Sequence, residues 1–154
     1  MISFNEKCIN MKPLFQNVLG MISFALDVWT SPNVYSFLAI TAHWITEDWE
    51  LKDTLIDFVD LSGPHSEENL CNAFVASCRE LGILPKIFAI TSDNATNNDS
   101  FMKYLEDICK DENIPFDATG SRCRCIAHII NIAVQDILKH FKAGEAQTEN
   151  NILN

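Results

Sequence analysis

Nothing in these 154 residues approaches the ~20 consecutive apolar residues that a helix needs to cross a bilayer, so no membrane partner is expected. The Met1 end lacks a basic start followed by an apolar run, which argues against a secretory leader and points to cytosol or nucleus. The cysteines lack a framework: Cys8, Cys71, Cys78, Cys109, Cys123 and Cys125 are scattered, as buried thiols of a reducing compartment are, rather than disulfides. Basic residues are scarce, 11 against 21 acids for a net charge of -10. Phosphate contacts supply most nucleic-acid affinity, so weak nucleic-acid binding is expected of this stretch alone. The charge does not exclude DNA-linked chemistry, because sites that hold divalent cations through carboxylates are acidic themselves.

What is present is one domain's worth of chain, 47% hydrophobic and 21% charged, long enough to bury a core. Residues 1–20 show no period and read as a lead-in to a core over 21–142, and 143–154 read as a polar, disordered tail. From Ile22 to Trp29 apolar residues alternate with Ser23, Ala25 and Asp27, the mark of a first strand. Ser31-Pro32-Asn33 makes a turn, Tyr35 to Ile45 a second strand, and Trp49 to Leu61 contains a third. Connections this short imply an antiparallel meander.

Ser66-Glu67-Glu68 opens a helix that carries Cys71, Phe74, Val75, Cys78 and Leu81 at helical spacing and ends at Gly82. Ile87 to Thr91 then reads as a fourth strand buried on both faces, tipped by Ser92-Asp93-Asn94. A second helix is expected from about Asn98 to Lys110, a short fifth strand within Ser121 to Cys125, and a third helix from Ile126 to Phe141. The last is apolar almost all round and so is expected to be buried, apart from a polar stripe of His128, Asn131 and Gln135.

A right-handed crossover through the first helix lays strand four parallel to strand one and beside it. The two carboxyl-terminal tips, with Asp27 and Asp93, then converge where ligands sit in open sheets. Two such aspartates have three uses: divalent cation binding, acid/base chemistry, or capping of turns and helices.

Five motifs follow in order: Asp27-Val28-Trp29-Thr30-Ser31, His43-Trp44-Ile45, His65-Ser66-Glu67-Glu68-Asn69-Leu70, Ile90 through Asn98, and Arg122 through Asn131. Over about residues 20–141 this texture resembles the catalytic core of hAT-family DNA transposases, the group that includes BED-finger proteins of the RICESLEEPER type. The resemblance implies an α/β, ribonuclease-H-like fold: a mixed sheet of about five strands flanked by helices, combining the meander with parallel strands. It implies a nuclear enzyme that cuts and joins DNA at transposon ends with two Mg²⁺ or Mn²⁺ ions. On this reading Asp27 and Asp93 are the first two metal-binding acids, and Cys125 and His128 fill the family's Cys-x-x-His element. His128 faces the scissile phosphate or the ligands around the metals, and Asn94 and Cys125 support them. Arg122 and Arg124 are candidates for DNA contact, although solvated arginines explain them equally well. The family's third acid, a glutamate, follows a helical insertion and matches no motif here, so the chain alone is expected to bind metal weakly and cut nothing. A structural zinc site at Cys123, Cys125 and His128 lacks a fourth ligand and is set aside. Any homo-oligomer is expected to form through other regions of a longer protein. The rival reading is a domesticated, non-catalytic relative that keeps the fold for DNA-linked or protein-protein association.

Overall fold

The computed structural model describes residues 11–30, 35–61, 66–93 and 98–152, the side chains of 30, 98 and 142–152 excepted. The turn assigned to Ser31-Pro32-Asn33 lies outside these residues, as do His65, Asn94 and Asn97. Alternating residues make β1 (Ile22–Thr30), β2 (Ser36–Ile45) and β3 (Leu51–Asp60). They form the expected antiparallel meander. The β2–β3 turn closes with Thr46 N–H donating to Glu50 O at 2.9 Å and Glu50 N–H to Thr46 Oγ1 at 3.1 Å.

Helix α1 (Glu67–Leu81) starts and stops where its sequence signals lie. The Ser66 hydroxyl accepts from Asn69 N–H at 3.2 Å, and Gly82 takes φ +70°, a left-handed conformation that costs glycine little. A 3₁₀ turn, Leu84–Lys86, leads into β4 (Ile87–Ser92), followed by α2 (Asn98–Asp111), β5 (Arg122–Arg124) and α3 (Ile126–Ile152). The sheet order is β3-β2-β1-β4-β5, with β4 parallel to both β1 and β5. The α/β, ribonuclease-H-like architecture expected from the sequence is therefore the one observed.

The core fills one face of the sheet. Ile22, Phe24, Leu38, Ile40, Ile56, Ile87 and Ile90 point into it, and Phe74, Val75, Phe101 and Leu105 meet them from α1 and α2. Phe74 sits edge-on between Phe24, 5.2 Å away, and Phe101, 5.9 Å away. The lead-in takes part: residues 11–16 are helical, Phe15 and Val18 are buried, and Lys86 Nζ donates to their carbonyls at 2.8 and 2.6 Å.

Two expectations of burial are corrected. Strand β4 is not buried throughout: Ile87, Ala89 and Ile90 are buried, but Phe88, at the bulge where the β1–β4 register shifts, is 62% exposed. An apolar run such as Ile87 to Thr91 cannot show which face has a cover, because burial on one face already satisfies most of it. Helix α3 is not buried either. Every described side chain from Ile129 to Phe141 is exposed, Ile130, Ile137 and Phe141 among them. Apolarity all round states a demand for burial; the helix leaves the sheet at β5, and the described residues do not meet that demand. The helix also continues past Phe141 to Ile152, through a stretch read as a polar tail. Ala143, Glu145, Ala146, Gln147 and Glu149 are helix formers and no proline interrupts them.

Candidate metal-binding and nucleic-acid site

Alternation along β1 buries Ile22, Phe24 and Leu26 and turns Ser23, Ala25, Asp27 and Trp29 to the opposite, uncovered face. The parallel ladder with β4 pairs Phe24 with Ile90 and Ala25 with Thr91. The ladder ends at that pair, and Asp27 and Asp93 each come two residues after it, Asp93 just past the end of β4. Neighbouring strands lie ~4.8 Å apart, so the chain passes these two positions at one end of the sheet. Both are exposed.

Strand β5 extends this edge. Cys123 is level with Thr91, and Cys125 N–H donates to Ser92 O at 3.0 Å, next to Asp93. Ile129 N–H donates to Cys125 O at 3.2 Å, so α3 begins at the strand tip. His128 lies within its first turn, half-buried.

Trp29, on the same face as Asp27, packs on Phe37 and Phe58 with ring centroids 5.9 and 5.3 Å away. It shares that face because β1 continues through Thr30. Pairing Trp29 with Phe37, and Ala39 with Phe58, puts the three rings beside Asp27 on the uncovered face. The small Ala25 and Ala39 leave the approach to Asp27 low.

The two arginines take the other side. Arg122 is level with Ile90 and Arg124 with Ser92, so their side chains project toward α2, away from the aspartates. Arg122 is no solvated arginine: its side chain is 16% exposed and pairs with Asp99 in the first turn of α2. Composition and spacing could not reveal that contact, because Asp99 alone reads as an acid favoured at a helix N-terminus. The approach to β5 is built by Asp117, which accepts from Gly120 N–H at 2.7 Å while its carbonyl accepts from Ser121 N–H at 2.9 Å. A Cβ on Gly120 would lie 2.6 Å from Asp117 Oδ2, so a side chain there would push the Asp117 carboxylate off its Gly120 N–H bond.

Among the described residues no group of three or more His, Cys, Asp and Glu side chains converges as a metal site. Two hard-oxygen donors at one edge suit Mg²⁺ or Mn²⁺, which take few protein ligands and keep several waters. They do not suit a closed zinc site.

A five-stranded mixed sheet in this order, helices on one face and aspartates at the tips of β1 and β4, defines a ribonuclease-H-like domain. The family described as the ZBED1 RNase-like domain matches residues 25–119, and the chain belongs to that family. It is 33% identical over 76% of its length to a "Putative transcriptional regulator tpeD" of Talaromyces stipitatus. It is 32% identical over 79% of its length to a "Putative AC transposase" of Zea mays. It is 28% identical over 84% of its length to the zinc finger BED domain-containing protein RICESLEEPER 1 of Oryza sativa. These relatives bear out the resemblance to hAT transposases and BED-finger proteins. The chain spans 14%, 15% and 18% of their respective lengths.

Proposed function

We propose that this chain is the first part of a DNA-cutting and DNA-joining catalytic core that works in the nucleus as part of a longer transposase-type protein. The observation that supports the reading is the parallel β1–β4 register, whose last pair, Ala25 with Thr91, comes two residues before Asp27 and Asp93. An open face suits an extended polymer, whereas a small-molecule hydrolase would need an enclosing pocket. Asp27 and Asp93 would hold divalent cations through one or two carboxylate oxygens each. Bound there, the cations supply charge neutralisation at phosphorus and a lowered pKa for the attacking water or DNA 3' hydroxyl.

The protein's own contribution is position. Asp27 is held by its pairing with Ala39 of β2, and Asp93 follows directly on the end of β4. Cys125, tied to Ser92, sets the start of α3, so that His128 presents an imidazole to the same edge, where it donates a hydrogen bond to a phosphate oxygen. The 154 residues hold two of the three acids that the chemistry needs and are expected to be inactive by themselves. Incubating the chain with DNA in Mg²⁺ or Mn²⁺ should yield no cleavage above background. Robust metal-dependent turnover would overturn the assignment of a two-acid, incomplete site.

A second reading has its own support in the net charge of -10. It makes the chain a domesticated relative that keeps the fold for association and performs no chemistry. The relative named as a transcriptional regulator is of a kind compatible with this. The two readings part at the longer protein: cleavage that depends on Asp27 and Asp93 there supports the first, and DNA-linked association indifferent to both supports the second.

A further inference from the structure

On the helix side of the β4 and β5 tips lies a cavity of about 350 Å³, lined by Lys103 of α2 and by Arg122 and Arg124 of β5, with Asp99 and Thr119 at its rim. Three cations face one carboxylate there, in a chain whose net charge is -10. Arg122 is held firmly, 16% exposed, with Nη1 paired to Asp99 Oδ1. Its Nε is buried and has no acceptor among the described residues. A guanidinium N–H without an acceptor is costly when buried, and Asp99 engages Nη1 only, leaving the fork of Nε–H with Nη2, the pair suited to two parallel bonds to one oxyanion, without an acceptor at Nε.

We propose that this cavity is a phosphate-binding site in which Asp99 is the resident counter-anion of the free protein. The Asp99 side chain is 67% exposed on the first turn of α2, so it is free to swing outward when a phosphate takes its place on Arg122. Arg124 and Lys103 then supply the remaining charge, and Thr119 a hydroxyl. Because both arginines project from the face opposite Asp27 and Asp93, this phosphate is not the one attacked. If the proposed function holds, a nucleic-acid strand crosses the strand tips with one phosphate in this cavity and a neighbouring one at the aspartates. Phosphate binding in the cavity itself does not depend on that function.

The test is carried out in EDTA, so that divalent binding by the aspartates has no bearing on it. Affinities for a labelled single-stranded oligonucleotide, by fluorescence anisotropy, and for pyrophosphate, by calorimetry, are compared across variants of the 154-residue chain. Asp99→Asn should tighten binding roughly three- to tenfold, while Asp107→Asn, a charge-matched change further along α2, should alter it less than about twofold. Arg124→Gln should weaken oligonucleotide binding and reduce the slope of log K against log salt by about 0.7, one phosphate contact on a single strand. Arg122→Gln, checked for folding by circular dichroism, should weaken it by about tenfold or more. A response confined to the oligonucleotide assigns the cavity to a phosphodiester, and one confined to pyrophosphate to a free phosphate. The proposal is overturned if Asp99→Asn leaves both affinities unchanged, or if Asp107→Asn tightens them as much.

Discussion

Phe74 is the side chain on which the helix layer rests, and replacing it with alanine is the most informative change in the core. The residue is fully buried and meets Phe24 at 5.2 Å and 85°, and Phe101 at 5.9 Å and 67°. It thus joins β1, the strand that carries Asp27, to both α1 and α2. Truncating a buried phenylalanine to alanine costs about 3–5 kcal/mol through lost transfer energy and the cavity left behind. Edge-to-face pairs contribute a further ~0.5–1.5 kcal/mol each beyond area, so the upper half of that range, about 4–5 kcal/mol, is expected. That is from about a quarter to nearly all of a typical domain's 5–15 kcal/mol. Urea denaturation monitored by circular dichroism measures it as a lower midpoint at constant slope. A double-mutant cycle of Phe24→Leu with Phe74→Leu should return a coupling of about 0.5–1.5 kcal/mol. A loss below about 1 kcal/mol for Phe74→Ala would mean that the ring does not hold the two layers together, and would refute the packing argument.

Alkaline pH should weaken the fold. Burial pushes the Cys71 thiol up to about 12 and, with the Glu112 carboxylate nearby, Cys109 up to about 11; Cys78 is also pushed upward by burial. In the unfolded chain these thiols ionise near the ordinary value of 9.0, so above it the folded state retains protons that the unfolded state has lost. The stabilisation is complete below pH 9 and is lost as pH rises toward 11 and 12. Urea midpoints measured from pH 7 to 11 should fall above pH 9 and fall less in Cys71→Ala; identical profiles for the two proteins would contradict the assignment. Helix α3 should exchange its amide hydrogens far faster than β1 and β2, since a helix without a packed face is marginal in water. Protection over 131–141 equal to that of β2 would show that the exposed apolar surface is covered in solution.

The meander was legible because alternation and short polar turns are local signals, and α1 because Ser66 and Gly82 are its physical start and stop. That β4 lies parallel to β1 and beside it could be read from the handedness of the crossover alone. What stayed hidden is what depends on surfaces rather than spacing. The run from Ile87 to Thr91 and the helix from Ile126 were both read as buried, yet their apolarity carries no information about which neighbour exists to cover them. The pairing of Arg122 with Asp99 was equally out of reach, because it joins β5 to α2 across the edge of the sheet and neither residue signals the other. The arginines were picked out by motif, and the β4–β5 register places them on the helix side of the sheet.

The central claim is that Asp27 and Asp93 form one cation site, and Mn²⁺-induced broadening of amide NMR signals tests it most directly. The account predicts weak, saturable binding with broadening centred on the tips of β1 and β4, abolished by Asp27→Asn and by Asp93→Asn. The same titration of Asp53→Asn, a change on the edge strand β3, should leave the pattern intact. Broadening that survives in either tip variant, or that centres on β3, would contradict it.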